Sequence, residues 1–191
     1  MLDFFSNFHL SWLFYMSFTV LFGWVGVLLF KIKGIPVSLS ETRYLVNHRK
    51  VGHLLWYLMC TLTAIPLMIV WIYYLNKYEM EGQILAYLTC LALVGVGIAG
   101  DFKDAGWKFF IHCLFALISA GACVVWICLY SPLAFIIIPI AIFFTLVGLW
   151  TGGRSAENRV GKPKRNAIVF YLEFVCFLAI YLCIYGLIIG I

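Results

Sequence analysis

Gly-Asp-Phe-Lys-Asp-Ala-Gly-Trp-Lys-Phe-Phe-Ile-His, residues 100–112, sets five ionisable side chains between two long apolar runs. In a strongly apolar chain such a stretch reads as a turn joining two membrane helices, and its charges mark the side of the membrane on which they meet. The composition agrees. Of 191 residues, 65% are hydrophobic and 11% charged, and the mean hydropathy is +1.05. A soluble domain carries roughly a quarter charged residues, and it has no means of hiding apolar runs of about 20 residues repeated along its length. The expected fold class is therefore all-α, a polytopic transmembrane helical bundle of about six membrane helices forming a single integral membrane domain over residues 1–191.

Working outward from the turn, apolar runs of spanning length give six expected spans: residues 10–31, 52–75, 83–100, 107–130, 132–150 and 167–190. The third and fifth are the shortest. Pro132 and Pro139 fall in the fifth, so a re-entrant segment is the alternative to a full crossing there. Residues 1–9 contain Asp3 and no Lys or Arg, and no small-x-small cleavage site follows, so the first span is expected to stay in the protein.

Six spans place the loops alternately on two sides. One side collects Lys31, Lys33, Arg43, Arg49, Lys50, Lys103, Lys108, Arg154, Arg159, Lys162, Lys164 and Arg165, twelve of the thirteen basic residues, and the other has only Lys77. The acidic residues show no such bias. By the positive-inside rule the basic side is cytoplasmic, which puts both termini outside a bacterial inner membrane. The net charge of +5 is then a topological signal and not a footprint for nucleic acid. Trp12, Trp71, Trp107 and Trp150 fall near span ends, as interfacial anchors do. The basic residues Arg154, Arg159, Lys162, Lys164 and Arg165 lie in one loop and are expected to attract anionic lipid head groups, at about 1 kcal/mol each near the surface.

The first cytoplasmic loop contains Pro36, Ser38, Ser40, Glu41, Thr42 and Tyr44. Pro36 interrupts the first helix, and Ser38 with Glu41 fits a capping box, so the loop reads as a turn followed by a short interfacial helix with Tyr44 at head-group level. This Ser-x-Ser-x-Thr-x-Tyr pattern, the Asp-Phe-Lys turn and the His-bearing fourth span resemble a family of uncharacterised multi-span membrane proteins from gut bacteria and their phages. The resemblance covers residues 35–126, with Arg43 where the family usually has Tyr. It implies the multi-span topology and no particular activity.

Within the spans, Glu173 and His112 stand out. Each lies five or six residues inside its span from the same side, and a carboxylate in the bilayer needs a partner, for which His112 and Lys108 are the candidates. Such a pair serves either helix packing, a proton or ion path, or catalysis. In the catalytic version His112, Glu173 and Asp101 are the candidate catalytic residues and His53, Asp104 and His112 the candidate metal ligands, activating water against a lipid-like ester or amide. The sequence holds no H-E-x-x-H, no G-x-S-x-G elbow and no Walker loop, and no cofactor is called for. All seven cysteines fall in apolar runs and read as small buried hydrophobes. Gly95, Gly97 and Gly100 are expected to let helices approach closely. Three functions follow: a non-enzymatic membrane protein acting through helix packing with lipid or protein, a membrane-embedded hydrolase, and an ion- or proton-coupled carrier.

Overall fold

A computed structural model describes residues 2–32, 36, 38–40, 49–99, 106–131, 133–150 and 168–190. The described residues form six α-helices and no strand: α1 Leu2–Ile32, α2 Arg49–Lys77, α3 Gln83–Ile98, α4 Trp107–Tyr130, α5 Ala134–Trp150 and α6 Ile168–Ile189. Four contain segments long and apolar enough to cross a membrane, namely Leu10–Val27, Lys50–Lys77, Trp107–Tyr130 and Val169–Ile189. The protein is an integral membrane protein built as a helical bundle. The first helix begins eight residues earlier than expected, at Leu2. The third has 16 residues, about 24 Å, and so falls short of a hydrocarbon core of about 30 Å. The residues from Gly100 to Asp104, including the candidates Asp101 and Asp104, lie outside those described, as does the basic loop from Arg154 to Arg165.

Helices form here because a backbone in hydrocarbon must satisfy its own hydrogen bonds, and α2 and α5 continue through Pro66 and Pro139 as membrane helices do. The fifth segment is one helix rather than a broken, re-entrant one over its described course.

Successive helices are neighbours from α1 to α4, whereas α5 leaves α4 and packs on α6, which returns against α4 and α2. The close contacts rest on small residues. A Cβ on Gly97 would stand 2.9 Å from Cys60 Cβ, and one on Gly95 would stand 2.7 Å from the Phe115 ring, so both glycines do what the sequence suggested.

The α1–α6 contact is instead aromatic. Phe14, Phe18 and Phe22 present edges to Tyr181 at centroid distances of 5.5, 5.5 and 5.7 Å. The Ser17 hydroxyl donates to the Thr63 carbonyl at 2.6 Å and also pairs with the Tyr181 hydroxyl, which must therefore be the donor in that second bond. One buried serine thus ties α1 to α2 and α6.

At the end of the bundle away from the basic loops, the α2–α3 turn is held by the Met80 N–H on the Leu75 carbonyl at 2.8 Å. Glu79 and Gly82 take positive φ angles of 52° and 102° there. Trp71 meets Trp126 edge to face at 4.8 Å, and both are fully buried. Trp71 is thus a core residue and not the expected interfacial anchor, because α2 runs on to Lys77 and leaves it more than a turn inside the helix end. Trp12 and Trp107 are exposed as anchors should be. All seven cysteines are free. Cys60, Cys90, Cys123 and Cys183 are buried as expected, but Cys113 and Cys128 face outward, into lipid for a bundle of this kind.

Candidate functional site

Glu173 sits five residues into α6, about 7.5 Å from its start, between Phe170, Phe174 and Phe177 in sequence. None of these neighbours can accept or share a charge. The carboxylate is served from the chain after α1: the Leu39 backbone N–H donates to Glu173 Oε2 at 2.6 Å. Pro36 keeps that chain from continuing α1, and Pro36, Leu39 and Ser40 are buried rather than lying at the membrane surface. Residues 38–40 form a turn set into the bundle, with Ser38 Oγ 3.0 Å from Ser40 Oγ, and the short helix expected after it lies outside the described residues. Glu41 and Tyr44 lie outside the described residues. A turn inside a membrane bundle needs an acceptor for its N–H groups, and Glu173 supplies one.

Beside this turn lies a cavity of about 80 Å³. It is bounded by α1, α2, α3, α4, α6 and the 39–40 turn, and most of its wall is apolar. The described lining residues that carry polar groups include Glu173, Ser40, Thr89, Ser119, Trp24 and Trp56. Ser119 is spoken for, its hydroxyl donating to the Thr89 carbonyl at 2.8 Å across the α3–α4 contact. Trp56 Nε1 and Thr89 Oγ1 are not. Both residues are buried, at 3% and 7% exposure, and neither atom has a hydrogen-bond partner among the described residues. Trp24 lies against Trp56 on the same wall, with ring centroids 6.4 Å apart at 58°.

The other sequence candidates are placed differently. His112 is buried five residues into α4 and does not line this cavity. His53 is half-buried one turn into α2, and Lys108 is exposed. The Leu39 backbone N–H is one partner of Glu173, whose expected partners were His112 or Lys108. Among the described residues no three His, Cys, Asp or Glu side chains gather as a metal site. Sequence reading found Glu173 but missed Leu39, Trp56 and Thr89. The position of Trp56 seven residues inside α2, deeper than an interfacial tryptophan, is the one signal that pointed to it.

Chemically the lining combines one carboxyl side chain with hydroxyl and indole side chains in a mostly apolar wall. Comparison with protein-family models, with curated proteins and with solved structures returns no match.

Proposed function

We propose that this integral membrane protein is a carrier of the bacterial cytoplasmic membrane that holds a small solute inside the bundle, with Glu173 as its polar anchor. One observation carries the reading: a cavity inside the bundle is lined by Glu173 of α6 together with residues of α1, α2, α3 and α4. A carboxylate in a membrane span is costly and marks a solute or ion path by default. Irregular backbone at membrane depth, such as the turn at residues 38–40, is tolerated where it is buried in protein or lines a cavity. The basic residues on one side support a cytoplasmic location for that side, so the Glu173 end of the cavity belongs to the cytoplasmic half and both termini to the outside. Arg154, Arg159, Lys162, Lys164 and Arg165 would then meet anionic lipid of the inner leaflet.

A second reading, action through helix packing with lipid or protein, is favoured by the apolar groove of about 330 Å³ between α4, α5 and α6. Cysteine labelling separates the two. In a cysteine-free background a cysteine at Ala120, on the cavity wall, should react with a small water-soluble methanethiosulfonate, and reaction should slow about tenfold or more when Ser119 is replaced by Leu. A cysteine at Ala120 that stays inert while one at Lys108 reacts would favour helix packing alone.

A further inference from the structure

The apolar groove between α4, α5 and α6 is independent of the carrier reading and requires only that the bundle stands in a bilayer. We propose that it holds a single acyl chain of a membrane phospholipid, which enters from the side of the basic loops and ends at the α4–α5 turn.

The shape follows from how the helices are joined. α5 packs on α6 and α6 on α4, while α4 and α5 have little contact with each other among the described residues. They meet at a turn that is pinned to α6: the Ser131 hydroxyl donates to Cys183 Sγ at 3.1 Å and accepts the Leu133 N–H at 3.3 Å. From that apex a slot runs along α5 from Ile137 to Leu146, about 13.5 Å at 1.5 Å per residue, toward the end that carries the basic loops. Ile127, Ile137 and Val175 close its floor at 7% exposure or less, whereas Cys128, Ile142 and Leu146 stand exposed at its lips. The slot thus opens sideways, toward lipid.

Its chemistry excludes a polar guest. The Thr145 hydroxyl is turned back on its own helix, donating to the Ala141 carbonyl at 2.8 Å, and the rest of the described lining is aliphatic apart from the thiols of Cys128 and Cys176. A charged or hydrogen-bonding solute finds nothing there to replace its water. An empty slot forfeits the dispersion contacts of the side chains on its wall, and a hydrocarbon chain restores them.

Girth separates a chain from a helix. A volume of about 330 Å³ spread over about 13.5 Å gives a cross-section of about 24 Å². A helix 10–12 Å across needs about 80 Å² or more, so a helix of a second copy does not fit. A hydrocarbon chain, whose carbons touch their neighbours at 4.0–4.5 Å, needs only about 15–20 Å².

The experiment places the full chain in nanodiscs of phosphatidylethanolamine and phosphatidylglycerol, doped with a phospholipid that carries a diazirine at the methyl end of one acyl chain, and maps the adducts after irradiation. Val124 and Cys128 line the groove, while Val125 and Leu129 stand exposed outside it on the same stretch of α4, so the two pairs share one depth. The groove pair should carry about tenfold more adduct. Moving the diazirine next to the ester should shift the adducts to Leu146. Ala141→Phe, which fills the slot, should lower groove labelling about tenfold, and Ile140→Phe, outside it, should leave labelling unchanged. Should Ala141→Phe fail to fold, the mapping on the unsubstituted chain carries the test. Equal adducts on the two α4 pairs would mean ordinary annular lipid and overturn the proposal, and a reversed shift would overturn the direction of entry. Disulfide-linked dimers formed through a cysteine at Ala141, in a cysteine-free background, would put a second copy in the groove and overturn it as well. None of these outcomes bears on the reactivity of a cysteine at Ala120, so the carrier reading stands or falls separately.

Discussion

Ser17 is the residue whose loss is easiest to compute. It accepts from Tyr181 and donates to the Thr63 carbonyl, so Ser17→Ala strands the Tyr181 hydroxyl in a buried, aromatic surrounding. A stranded buried donor costs about 1–3 kcal/mol, whereas Tyr181→Phe removes the group that would be stranded and costs about 0.5–1.5 kcal/mol. Unfolding in detergent should therefore rank Ser17→Ala as the more damaging, and the double variant should cost less than the sum of the singles. Additive losses would mean the two hydroxyls do not act as a pair. The same reasoning distinguishes two changes at Glu173. Glu173→Gln keeps an acceptor for the Leu39 N–H and Glu173→Ala does not, so a cysteine placed at Ser40 should label at about the unsubstituted rate in the first and about tenfold or more faster in the second, as expected for losing a bond to a charged group. Equal labelling in both variants would remove Glu173 as the clamp on that turn. Glu173 itself was legible in the sequence as a lone acid in an apolar run. Its partner was not, because a Pro- and Ser-containing segment reads alike whether it rests on the membrane surface or enters the bundle.

Among the elements, the α2–α3 turn is the least forgiving. Gly82 combines a φ of 102° with a Cβ position only 2.6 Å from the ring of buried Trp126. Gly82→Ala thus meets backbone strain of about 1–2 kcal/mol and an overpacking cost of about 1–3 kcal/mol. A loss near 2–5 kcal/mol is expected in an unfolding titration, and a variant of wild-type stability would show that the turn relaxes freely. The helices themselves were readable from the sequence, since about 20 apolar residues in a row have few other uses. Which face each helix turns inward was not. In a soluble helix a polar stripe marks the outside, but these helices are predominantly apolar with little difference between their faces, because lipid and core make the same demand. That is why Trp71 passed for an interfacial anchor and why Trp56 and Thr89 escaped notice.

At the scale of the whole molecule the packing is uneven. The half containing Trp71, Trp126 and the α2–α3 turn is filled by large rings, while the half containing Glu173 holds a cavity and an inserted turn. The charge distribution predicts which half faces the cytoplasm. A phosphatase fused after the C-terminus should be active in bacteria, and fluorescence from a reporter that matures only in the cytoplasm would reverse the assignment. The Leu39–Glu173 bond also sets an order of assembly, because its partners stand 134 positions apart in the chain. During synthesis α1 to α4 can pack as successive neighbours, but the turn at Leu39 has no acceptor in Glu173 until α6 emerges and brings α5 with it. A ribosome stalled before α6 would leave that turn with its N–H turned toward lipid or water. α6 is thus the helix that closes over the turn at residues 38–40, and a chain made only as far as α5 leaves that turn without its carboxylate.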